Sequence, residues 1–218
     1  MYEVLEEDHY LESFGVGNNG KGKYEVHNKE LLEKAYEKAW NNRDFEINKF
    51  WTRAAYFWGF IVLIFGGLIT LLTSDHNENA IVLRLDLYLI ALGFLFSLAW
   101  YLVILGSKSW QENWEAHIDN LENFVSGPLY KTIYYKGNRF YSVSKINELL
   151  ALLVILVWLA LFVQYYVSNF TITSNFNSID IHATLTLIIT IVFSSSLRFG
   201  YALGIYKAGK NGFIDRWS

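Results

Sequence analysis

Four largely apolar stretches, Ala54–Leu72, Leu87–Leu105, Leu149–Val167 and Ala183–Ile205, constrain this chain more than any other feature. A helix of about 19 residues at about 1.5 Å each covers roughly 28 Å, close to the hydrocarbon thickness of a bilayer. A helix packed in water keeps a polar face that returns every third or fourth residue. Phe60–Phe65 and Leu149–Trp158 have none. The sequence predicts an all-α membrane protein with four transmembrane helices, short cytoplasmic amphipathic helices and a β-hairpin.

Composition narrows the class. Charged residues make up 18%, below the roughly 25% of soluble domains. Trp51 and Tyr56, Trp100 and Tyr101, Tyr165 and Tyr166, and Tyr201 and Tyr206 sit near stretch ends, where amphipathic rings favour the headgroup layer. A net charge of −3 argues against a nucleic-acid partner. No cysteine is present, which excludes disulfides and thiolate chemistry. The acidic, polar N-terminus reads as lacking a cleavable signal peptide.

Cation placement sets the expected orientation. Lys21, Lys23, Lys29, Lys34, Lys38, Arg43, Lys49 and Arg53 precede the first stretch. Lys108, Lys131, Lys136, Arg139 and Lys145 lie between the second and third, and Lys207, Lys210 and Arg216 follow the fourth. The other two connections hold only Arg84. Cation-rich segments stay inside, so both termini and the central loop are expected in the cytoplasm.

The expected organisation is a flexible acidic and Gly-rich N-terminus over 1–27 and a helix over 28–53 leading into the membrane. A four-span domain over 54–205, with its loop at 106–148, precedes a tail at 206–218. Asn28 suits the N-cap of a helix through Leu32, Ala35, Tyr36, Ala39 and Trp40. Asn41–Asp44 is expected to break that helix, with Asp44 capping the next. In the loop, Trp110, Trp114, Ile118 and Leu121 line one helix face, while Glu112, Glu115, Asp119 and Glu122 line another that reads as solvated. Gly127-Pro128 stops this helix, and Gly137-Asn138 signals a hairpin.

No constellation points to catalysis, a metal or a cofactor. Gly15–Gly22 superficially resembles nucleotide-binding loops, but Gly22 stands where a phosphate loop needs Ser or Thr after its Lys. A flexible linker is the preferred reading. His9, His27, His76, His117 and His182 have no metal-ligand spacing on a shared helix; His117, beside the Trp stripe, reads as a packed or hydrogen-bonded residue. Thr186, Thr190, Ser194 and Arg198 recur every fourth residue along the last stretch. They either line a polar path in an oligomer or pack helices, with Arg198 snorkelling to the interface; packing is preferred. Gly200 and Gly204, Gly93 and Ser97, and Ala55 and Gly59 are small-residue pairs suited to close helix contact.

Two aromatic-rich strings, Asn42–Trp58 and Gly106–Glu122, together with Gly127–Thr132 and Tyr141–Asn147, resemble the bacterial RipA-family octameric membrane proteins over residues 28 to 205. The resemblance implies an inner-membrane homo-oligomer without a known catalytic site, often associated with conflict systems. Its partners would then be membrane lipids, further copies of itself and a cytoplasmic defence protein. On this reading Trp110, Trp114, Ile118 and Leu121 are expected to form an oligomer or partner contact. The leading function is a membrane effector or scaffold of an antiviral defence system. The alternatives are a scaffold tied to envelope lipid metabolism, a small channel or transporter, and, weakest, an integral-membrane enzyme.

Overall fold

The computed structural model describes residues 5–74, 82–134, 137, 141–169, 181–201 and 213. Five α-helices and one hairpin follow in chain order: α1 Glu7–Glu12, β1 Val16–Asn18, β2 Tyr24–Val26, α2 Lys29–Thr73, α3 Leu85–Val125, α4 Val143–Asn169 and α5 Ile181–Ser195. A π-helical stretch, Ser196–Tyr201, continues α5. The chain divides into two compact units. A polar unit comprises Met1–Asn48, Lys108–Phe140 and Gly204–Ser218; an apolar unit comprises Lys49–Ser107 and Tyr141–Leu203.

Among the described residues, four helices are long and apolar enough to cross a membrane: Lys29–Thr73, Leu85–Val125, Val143–Ser168 and Ile181–Phe199. They coincide with the four stretches anticipated from sequence. The chain is a multi-pass membrane protein. The end of the fourth stretch, beyond Tyr201, and the tail at 206–218 apart from Phe213 lie outside the described residues.

In the apolar unit, α2, α3, α4 and α5 meet around Leu68, Leu87, Ile90, Trp158, Tyr165 and Ala183. A second cluster, Ile61, Trp100, Ile104 and Ala151, joins α2, α3 and α4. Large rings meeting small residues make these crossings specific. Trp158 stacks on Phe65 with centroids 4.0 Å apart, and it lies against Gly93, where a Cβ would collide with the ring. Apolar faces such as Leu63 and Leu149 stay exposed, as lipid-facing residues should.

In the polar unit, Tyr10, Leu11, Val16, Leu32 and Leu121 form the core. Asn28 caps α2 as anticipated: its Oδ1 accepts the Leu31 N–H at 3.0 Å. The anticipated break at Asn41–Asp44 does not occur, and α2 is continuous. Asn and Asp are only mildly unfavourable inside helices, and Arg43 anchors this turn by bonding Glu115 and lying 5.4 Å over the Trp40 ring.

The Gly-rich stretch is not a flexible linker but a hairpin. Val16 pairs with Val26 and Asn18 with Tyr24, and the Asn19 N–H donates to Lys23 O at 3.0 Å. Gly15 has φ +80°, and a Cβ there would meet Asn28. The glycines thus answer to turn geometry. The hairpin expected at Gly137-Asn138 falls mostly on residues outside those described. Gly127, with φ +73°, and Pro128 do end α3.

Candidate functional site

Sequence reading treats Trp110, Trp114, Ile118 and Leu121 as one stripe, and the structure divides it. Ile118 and Leu121 are fully buried within the chain's own core, whereas Trp110 is 41% exposed. Trp114 is half-buried and lies 5.6 Å from the His117 ring. Only Trp110 and Trp114 therefore retain surface that a partner could reach.

His117 is the centre of an aromatic cluster that sequence periodicity places only as a neighbour of the Trp stripe. Tyr10 Oη lies 2.7 Å from His117 Nδ1. Phe213 stacks on Tyr10 at 4.0 Å and lies 4.6 Å from His117; its carbonyl accepts the Leu5 N–H at 2.7 Å. Phe14 approaches the same imidazole edge-on. The N-terminal segment and Phe213 thus meet on α3. Burial among rings disfavours the imidazolium and lowers the His117 pKa from 6.5 to about 4. His117 is neutral at physiological pH. A cavity of about 150 Å³ opens beside it, lined by Phe14, Ala35, Lys38, Ala39, Trp114, His117 and Leu121.

The face expected to be solvated is solvated only in part. Glu122 is fully buried. Its two carboxylate oxygens accept the Tyr130 and Lys131 N–H groups at 2.6 and 3.1 Å, with Lys131 Nζ 3.8 Å away. Glu115 accepts from Arg43 Nε at 3.3 Å and from Gln111 at 2.8 Å. Arg43 also lies 5.4 Å over the Tyr130 ring, which packs edge-on against Trp40. A buried carboxylate is tolerated when hydrogen bonds replace its water, and the turn after Gly127-Pro128 supplies them. Helical period alone carries no trace of those donors.

In α5 the fourfold stripe turns as it descends. Thr186 and Thr190 are buried at 4% and 5% exposure, and the Thr186 hydroxyl donates to His182 O at 2.7 Å. Ser194 is half-buried and Arg198 exposed. Four residues advance a helix by about 400°, so such a stripe drifts about 40° per step. Arg198 lies in the π-helical stretch. Gly93 packs against Trp158, and the buried Ser97 hydroxyl donates to Gly93 O at 2.7 Å. Gly59 has open space around it. The surroundings of Gly200, and all of Gly204, lie outside the described residues.

A family model, the octameric membrane protein family (8xMP), matches residues 33–167, more than half of the chain. The chain belongs to this family. The match takes in α3 entire, most of α2 and α4, and so every helix of the Glu122 and Arg43 networks. Tyr10, Phe14 and Phe213 lie outside it. No curated protein and no solved structure matches this chain.

Proposed function

We propose that this octameric membrane protein acts by assembly rather than by catalysis, as an effector or scaffold of a conflict or antiviral defence system in the bacterial inner membrane. The observation that carries assembly in a membrane is family membership joined to four membrane-length helices; the defence role is what the resemblance to the RipA-family proteins implies. Both termini are cytoplasmic on this reading. The Lys and Arg bias supports that orientation, and the contact of Leu5 and Tyr10 with Phe213 supports a shared side for the two ends, since an even number of crossings returns the chain to its starting side. Burial of Thr186 and Thr190 favours helix packing over a pore-lining stripe.

The test is a phage challenge of cells carrying the chain with its genomic neighbours, read with a membrane-potential dye and by native mass measurement. An octamer that depolarises the membrane on infection supports an effector. An octamer required for protection without depolarisation supports a scaffold. A monomer, or protection unchanged on deleting the gene, overturns the proposal.

A further inference from the structure

The segment that precedes α2 is built as a small unit of its own. Asp8 of α1 accepts the Tyr24 hydroxyl at 2.7 Å and the Asn18 side-chain amide at 3.3 Å, which ties that helix to both strands of the hairpin. The Gly15 carbonyl accepts the His27 and Asn28 N–H groups at 2.7 and 3.2 Å, closing the segment where α2 begins. Its hold on the helices is mostly apolar. Tyr10, Leu11 and Val16 are buried with Leu32 of α2 and Leu121 of α3. Among the described residues a single hydrogen bond, between Tyr10 Oη and His117 Nδ1, crosses from this segment to the helices. The family match begins at residue 33, so the segment stands outside it. The same Tyr10 ring carries Phe213, stacked at 4.0 Å, and the Phe213 carbonyl accepts the Leu5 N–H at 2.7 Å. Phe213 lies twelve residues beyond Tyr201, the last residue of the π-helical stretch.

We propose that residues 5–27 form a clasp that opens and closes on α2 and α3 as one unit, and that only the closed clasp holds Phe213. A segment with intact internal ties and few outer contacts opens at lower free energy than a helical core. One hydrogen bond and one apolar patch hold this one, whereas α3 runs unbroken for 41 residues. Burial of the patch favours closure at rest. Closure anchors the chain that follows the fourth span; opening releases it and bares Leu32 and Leu121 in the same step.

Full-length protein in detergent, carrying 4-fluorophenylalanine at Phe213, tests the proposal by fluorine NMR alongside hydrogen exchange. In the wild type the hairpin amides should exchange at least tenfold faster than those of Ile118–Leu121 in α3. The fluorine resonance should show the ring-current shift of the Tyr10 stack. Val16→Asp, which puts a charge into the buried patch and leaves Tyr10 in place, should move that resonance to its position in a free peptide. Tyr10→Phe, which removes the one hydrogen bond and keeps the ring, should speed hairpin exchange severalfold and raise the unstacked Phe213 population by the same factor. Hairpin amides as protected as those of α3 in the wild type would overturn the clasp. So would a Phe213 that stays stacked in Val16→Asp, or unequal responses of hairpin and Phe213 to Tyr10→Phe. Loss of α3 protection in step with the hairpin in Tyr10→Phe would make the segment part of the helical core, and would equally overturn it.

Discussion

A methyl group added at Gly93 would meet Trp158 Cδ2 at 2.5 Å, well inside van der Waals contact. Gly93→Ala is therefore expected to destabilise the apolar unit by about 1–3 kcal/mol through overpacking. Thermal unfolding in detergent would register the loss. Trp158→Phe, by shrinking the ring, should make the paired substitution less costly than the sum of the singles. His117 makes a second expectation at this scale, with its sign set by burial. Its folded pKa of about 4 lies below the unfolded 6.5, so the unfolded state binds the extra proton between those values. Stability is then full above pH 6.5 and falls as pH drops towards 4, by up to about 3 kcal/mol. The groups facing the ring are the neutral Tyr10, Phe14, Trp114 and Phe213, with Lys38 across the cavity. His117→Gln should flatten the melting-temperature profile between pH 7 and 4.5; an unchanged slope would assign it to other groups. Neither role is visible in sequence, because each depends on a residue about 65 or 107 positions away.

The secondary elements differ sharply in how legible they are. Membrane helices are written in long, largely apolar runs, since lipid forces every backbone group to be satisfied within the helix, and all four appear where the runs lie. The Asn28 cap and the Gly127-Pro128 stop are equally local and equally readable. The failures share a cause. Asn41–Asp44 looks like a break until Arg43 meets Glu115 and Trp40, and Glu122 looks solvated until the returning turn brings two N–H groups to it. Glu122→Ala should leave α3 helical yet strand those donors, at about 1–3 kcal/mol. Hydrogen exchange at the Tyr130 and Lys131 amides should then rise well above that of the α3 interior. Protection retained at both amides would show that another acceptor holds the turn.

At the scale of the whole molecule, orientation and assembly are separate questions. Single cysteines at Asn77 and Asn175 should be labelled by an impermeant reagent in intact cells, and those at Ser13 and Ser218 only after permeabilisation; labelling of Ser13→Cys in intact cells would reverse the orientation. Assembly turns on which surfaces remain once the chain has packed against itself. Ile118 and Leu121 are already enclosed, so substituting them would disturb the fold of the protomer before it disturbed any contact between copies. Trp110 is different: at 41% exposure it presents a large ring that a neighbour can bury, and interfaces draw much of their energy from such anchors. Trp110→Ala should therefore shift the detergent-solubilised octamer towards smaller species while leaving the melting temperature of the protomer within a few degrees. Leu121→Ala should do the reverse, lowering stability by about 2–5 kcal/mol as a buried Leu truncation does, with assembly lost only as the fold is lost. Native mass measurement alongside thermal unfolding separates the two. An intact octamer in Trp110→Ala would remove that ring from the contacts between copies.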